Sequence, residues 1–343
     1  MLKNKFKNVF KEIKITVLAD VFIDRIIQIP NFKFLLKEIK EKSKVGGGSI
    51  RQISQKEIIG GNATNIAYAL AKLGAQVNLF VIADDFTKEL LNHHFNEYEN
   101  VQINIIKGQP GFTVALETKF SGRQSNIMLS DVGGIKYFDG CEMVRKFKKT
   151  FKQSDVTIIS NWASNLNGND LIKNVFSIAN NSIRLLDCAD ISTSVDRLPK
   201  LIDNIIRKDL VDIISLNENE CSVLNQYLGF KKLSENYSVK DIKDIAVSLS
   251  SHLNLSIEIH TPLGSCSASD NDVHFVKSFK IQPIMLTGAG DIWNAANVLG
   301  IKKEISVEKR LNFANACAAV YVSSFQNNDF DLSDVDKFYN PFT

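Results

Sequence analysis

In the stretch Leu286-Thr287-Gly288-Ala289-Gly290-Asp291-Ile292-Trp293, two glycines and an acid open an apolar, helix-forming run. Glycine lets the chain turn tightly, so consecutive N–H groups from Gly288 through Ala289, Gly290 and Asp291 can point at one anion where the helix begins. A carboxylate directly behind such a cradle sets two negative charges side by side. Phosphoryl transfer calls for that conflict. The amides hold charge on the moving group while the carboxylate takes the proton of an attacking hydroxyl. The plainer alternative is that Asp291 complements the dipole of the first helical turn, and this stretch alone does not choose between them.

A second glycine pair opens Gly60-Gly61-Asn62-Ala63-Thr64-Asn65-Ile66-Ala67-Tyr68-Ala69-Leu70-Ala71-Lys72-Leu73-Gly74, with Ile66, Ala69, Leu70 and Leu73 on one helix face and Gly74 as the stop. Taken together and in this order, GGNATNIAYALAKLG and LTGAGDIWNAA resemble the two signature motifs of the ribokinase-like, PfkB-type carbohydrate kinases, over roughly residues 13 to 322. The resemblance implies an α/β fold, a mostly parallel sheet sandwiched by helices, with a small β-rich lid. It also implies Asp291 as the base, and Gly60, Gly61, Asn65 and Asp24 as the acceptor-binding set.

Asp24 follows the apolar run 13–19 in the position of the second acid of the family's G-D-x-x-x-D pattern, although Ala19 replaces its glycine. A carboxylate suits that place because it accepts paired hydrogen bonds from neighbouring hydroxyls; a surface salt bridge is the alternative. Asn217 and Glu220 resemble the family's N-x-x-E element, in which the acid holds magnesium through the ion's water shell. Thr261 and Gly264 stand where a family loop approaches the nucleotide, with Ser267 in place of its second glycine. Asn315 lies on the helix that borders the base in the family. Trp293 reads as core, and Met285 and Leu286 replace the first two residues of the family's D-T-T-G-A-G-D. The chain after Tyr321 lacks the glycine that commonly follows this helix, so no monovalent-cation site is expected.

At 343 residues, 44% hydrophobic and 23% charged, the chain is expected to fold as one large α/β domain with a smaller appendage. Residues 1–12 read as a basic extension, and 13–343 as the kinase domain with lid segments near 25–59 and 105–138. The five cysteines lack metal or disulfide spacing, and the five histidines contain no i, i+4 pair. A net charge of +3 gives no argument for nucleic acid, and no apolar run reaches a membrane-spanning length. A cytoplasmic protein without nucleic-acid or membrane partners is expected, with a homodimer through the lid.

The helix-like run 33–44 departs from the family's lid, and Gly46-Gly47-Gly48 reads as a turn or hinge. Strands are expected at 76–83, 101–107, 112–119 and 124–130, part of the last three belonging to the lid. Helix and strand then alternate: helices at 140–152, 168–180, 198–208, 217–227 and 239–253, strands at 155–160, 183–187, 211–216 and 256–261. Such alternation places ligands at the carboxyl ends of the strands, where Asp187 and Asp190 also fall. Lid cations, Arg123 foremost, are candidates for gripping a phosphate already on the acceptor.

The expected activity is transfer of the γ-phosphoryl group of ATP, with Mg2+, to a hydroxyl of a sugar, nucleoside or sugar phosphate. The alternatives are an ADP-dependent or sugar-phosphate-specific kinase, or a catalytically silent binding protein on the same fold. No G-x-x-x-x-G-K-[ST] sequence is present, which excludes a P-loop mechanism.

Overall fold

A computed structural model describes residues 8–120, 123–270, 272–284, 287–324 and 332–339, apart from the side chains of 119, 120 and 123–126. The chain begins with β1 (Lys14–Ala19), β2 (Phe22–Ile29), α1 (Phe32–Lys44), β3 (Ser54–Gly60), α2 (Asn62–Leu73), β4 (Gln76–Ala83), α3 (Asp85–His94), β5 (Val101–Lys107), β6 (Gly111–Phe120) and β7 (Arg123–Asp131). It continues with α4 (Cys141–Lys146), α5 (Lys148–Gln153), β8 (Val156–Ile159), α6 (Gly168–Phe176), β9 (Ile183–Asp187), α7 (Leu198–Asn204), β10 (Ile213–Asn217), α8 (Glu218–Tyr227), α9 (Val239–Leu253), β11 (Ser256–Thr261), β12 (Gly264–Ser269) and β13 (Asp272–Lys277). The helices α10 (Ala289–Lys302), α11 (Val307–Ser323) and α12 (Leu332–Phe338) close it.

Nine strands form one sheet in the order β13-β12-β11-β10-β9-β8-β1-β4-β5, parallel from β11 to β5 and antiparallel at the β12 and β13 edge. Its central strands are apolar on both sides, because helices cover both faces. Ile15 and Val17 of β1 face a core built with α2, α10 and α11, while Leu18 faces one built with α6 to α9. The alanine-rich face of α10 packs on α11, as expected, and also on α2. Both glycine-led helices therefore start side by side.

A smaller sheet, β3-β2-β6-β7, stands at the carboxyl ends of the large sheet's strands. Here β5 departs from the expected lid: it pairs with β4 at the edge of the large sheet, so the lid contributed by residues 105–138 is β6 and β7 alone. The run 140–152 breaks at Phe147 into α4 and α5, and the helix expected over 168–180 ends at Phe176. Likewise 198–208 becomes α7 and a separate 3-10 turn. Gly46, Gly47 and Gly48 all have positive φ, in keeping with a turn. At the other end of the chain, Phe10 is fully buried, its ring 6.2 Å from Phe313, so the chain is anchored in the core at Phe10, before β1 begins.

Candidate active site

The two glycine-led helix starts differ in what their free amides meet. At α2, Asp20 from the end of β1 accepts hydrogen bonds from the N–H groups of Asn62 (3.0 Å) and Ala63 (2.9 Å), and also from Ser160 and Asn161 beyond β8. This start is already satisfied by the protein's own anion. At α10, Gly288 adopts a left-handed conformation (φ 86°) and has no side chain to cap with, and among the described residues no other side chain is seen to accept from the first-turn amides. Its first-turn amides are the ones left open to an outside anion.

Asp291 sits in that open turn, 6% exposed. Its Oδ1 accepts from Asn62 Nδ2 at 3.0 Å and its Oδ2 from Asn65 Nδ2 at 2.8 Å. Burial, then the nearby Asp187 charge, pushes its carboxyl well above the usual range, against the pull of the Asn65 hydrogen bond. Asn65, expected to hold the acceptor, lines the adjacent cleft and also orients Asp291. The role of Asn62 could not be read from its motif, since its partner lies 229 residues away.

Close packing explains the glycines here. A Cβ on Gly290 would stand 2.8 Å from Cε1 of His260, which is half-buried, its imidazole pushed down to about 4 by loss of water, and packed 5.2 Å from Trp293. A Cβ on Gly288 would stand 2.7 Å from the Tyr321 hydroxyl. On the other side of the cleft, a Cβ on Gly60 would lie 1.9 Å from Asp24 Oδ2, so glycine leaves that carboxylate its room. Gly61 takes φ 100° against the backbone of Asp20 to Phe22. Burial raises Asp24 to about 6, the Thr113 hydroxyl pulls it back, and Asp20 adds to the rise. No cation pairs with Asp24 among the described side chains, which disposes of the salt-bridge alternative within that set. The cleft between the small sheet and α10 is lined by Asp24, Gly60, Asn65, Thr113, Thr287 and Tyr321, among others. It holds about 440 Å³ counting its open mouth.

Along the carboxyl edge, Asp187 at the end of β9 accepts from Asn294 Nδ2 (2.7 Å) and from Ala189 N–H (2.9 Å). Asn217 and Glu220 form a capping box at the start of α8. Glu220 Oε2 accepts from Asn217 N–H at 2.9 Å and Oε1 from Asn217 Nδ2 at 2.7 Å, while Asn217 Oδ1 accepts from the Asn219 and Glu220 amides. Burial raises both carboxyls; the Asp187 charge adds to the rise at Glu220, and the Asp20 charge to the rise at Asp187. Among the described residues no cluster of three or more His, Cys, Asp or Glu could hold a metal ion directly. Two buried carboxylates at neighbouring strand ends, with lone pairs to spare, do fit a hydrated divalent cation contacted through its waters.

The other expected nucleotide contacts are engaged in the fold. Thr261 Oγ1 donates to Gly264 C=O (2.9 Å) and accepts from the Leu263 and Gly264 amides, closing the β11–β12 hairpin. Gly264 has φ 151°, and a Cβ there would strike Val276 C=O at 2.2 Å. Asn315 accepts from Trp293 Nε1 at 2.9 Å and reaches the Val276 and Lys277 carbonyls, and Trp293 is core as expected. Ser267 is not in a loop: it is buried in β12, donating to Glu258 and accepting from Arg310. The Arg123 side chain, and Met285 and Leu286, lie outside the described residues.

Residues 35–332 match the pfkB family of carbohydrate kinases. The chain belongs to that family, and is a PfkB-type carbohydrate kinase. It is 24% identical over 320 residues to a ribokinase of Haemophilus influenzae, covering 90% of this chain and 92% of that one. Among solved structures, a ribokinase from Thermotoga maritima superposes with a TM-score of 0.71 at 17% identity, over 96% of this chain and 99% of that one. An Arabidopsis thaliana ribokinase complexed with ribose and ATP superposes with a TM-score of 0.70 at 16% identity, over 96% and 98%. Among the described residues no helix is long and apolar enough to cross a membrane.

Proposed function

We propose that this kinase moves the γ-phosphoryl group of ATP to a hydroxyl of a sugar-like acceptor bound in the cleft under the small sheet. The observation that carries the reading is Asp291, buried in the first turn of α10 and hydrogen-bonded to Asn65, which lines that cleft. The acceptor oxygen attacks the γ-phosphorus, its proton passes to a carboxylate oxygen of Asp291, and the bond to the leaving ADP oxygen breaks. The amides of Ala289, Gly290 and Asp291 stabilise the charge on the transferring group. Asn62 and Asn65 hold Asp291 in place, and Asp24 accepts from acceptor hydroxyls. Glu220 and Asp187 hold magnesium through water; when bound, that ion neutralises phosphate charge.

The small sheet also supports a homodimer. Its strands alternate so that Met128 faces the cleft while Phe112, Ile127 and Leu129 stand exposed on the outer face. The activity is tested with ATP and a panel of sugars and nucleosides, following ADP release and acceptor phosphorylation together. Acceptor-dependent ADP release is the expected result; binding of acceptor and ATP without transfer overturns the proposal.

A further inference from the structure

The cleft wall carries a charge pattern that selects among acceptors. In the small sheet Asp24 pairs with Thr113, Ile26 with Ala115 and Gln28 with Glu117, so residues 113, 115 and 117 share the face that carries Asp24. Glu117 lines the cleft with Asp24, at the end of a floor whose middle is Ile26, Ala115 and Met128. The described lining thus holds two carboxylates and no lysine, arginine or histidine.

The cations of the lid whose side chains are described lie outside that lining. Arg25 and Glu57 pair with each other on the opposite face. Lys56, paired with Ile26 on β3, shares the face of the cleft but is exposed, has interactions of its own and is not part of the lining. The backbone of Arg123 pairs with Phe120 at the hairpin tip, three residues beyond Glu117 and so about 10 Å farther from the cleft. A phosphate on the acceptor would meet two carboxylates. An ammonium, amide or hydroxyl would meet two acceptors of charge-assisted hydrogen bonds.

We infer that the acceptor is an unphosphorylated polyol that presents a hydrogen-bond donor, an amine in preference to a hydroxyl, to Glu117. The assignment rests on the proposed kinase reading and deepens it from reaction to substrate class. Glu117 is a specificity-determining residue, set on the wall away from Asp291.

The test uses glucose, 2-amino-2-deoxyglucose and glucose 6-phosphate, each measured for binding by calorimetry and for turnover with ATP and magnesium. The wild-type protein should bind the amine most tightly and the phosphate least. Glu117→Gln should weaken the amine about tenfold through KM, the size of one charge-assisted contact, while glucose changes by less than about twofold. Glu117→Lys should reverse the order of amine and phosphate, and an unchanged ATP affinity shows that each variant is folded. Tightest binding of glucose 6-phosphate by wild type, or an equal loss for glucose and the amine in Glu117→Gln, overturns the inference. Binding in the predicted order without turnover overturns the kinase reading and leaves this one standing; no binding of any of the three overturns this one.

Discussion

Asp24 lines the cleft and Asp291 lies behind it, bonded to the cleft residue Asn65, and their surroundings differ. Asp24, raised by burial to about 6, must be ionised to accept from two hydroxyls at once. Its ordinary value is 3.8, so the folded chain keeps this proton to higher pH than the unfolded chain does. The stability it contributes is therefore fully present below about pH 4 and lost as pH rises through 6. Asp24→Asn should melt higher than wild type at pH 7, with the difference vanishing near pH 4. Acceptor affinity should climb between pH 5 and 7 in wild type and stay flat in the variant, read by calorimetry across that range. At this scale Asp291 and Asp24 were legible because each sits in a motif. Asp20 and Asn62 were not, because their partners lie 42 and 229 residues away and only the fold brings them together.

At the scale of elements, the proposed anion site rests on the difference between α2 and α10. Both begin with glycines, but α2 receives the Asp20 carboxylate, and no such cap of α10 is seen among the described residues. Helix α8 offers a third case, since the Asn217 and Glu220 capping box is made by the residues expected to meet nucleotide and magnesium. A cap and a water-mediated metal contact are compatible, because two hydrogen bonds leave the carboxylate further lone pairs. Glu220→Gln should raise the magnesium concentration for half-maximal rate several-fold with the acceptor KM unchanged. An unchanged magnesium dependence, together with a lowered melting temperature, reduces Glu220 to its capping role. Most strands and helices were legible from alternation and 3.6-residue spacing. The membership of β5 was not, since an alternating run looks alike in either sheet until its partner is known.

Across the whole molecule, β11 and β12 are tied to α10 and α11 through a buried ion pair. Arg310 of α11 donates to both oxygens of Glu258 at 3.0 and 2.8 Å, and also reaches Ser267 and Asn297. Removing one partner strands a buried charge, so Arg310→Met should lose about 3–5 kcal/mol of stability in denaturant titration. The acceptor KM should stay near the wild-type value at temperatures where the variant is folded. This role for Ser267 was hidden, because position in a family loop says nothing about a distant arginine. The overall architecture was legible from two motifs in order and the alternation between them; the small sheet's charge pattern needed its register.

The central claim is that Asp291 takes the acceptor's proton. Asp291→Asn keeps the shape and the amides of α10 while removing the proton acceptor, and general-base help typically contributes about 10²–10⁴-fold. Turnover, ATP affinity and melting temperature are to be measured on one preparation of each protein. A fall in turnover within that range, with ATP affinity kept or tightened, is the predicted result. Near-wild-type turnover with a stability change of about 1 kcal/mol or less would leave Asp291 as a complement to the helix dipole and contradict the mechanism.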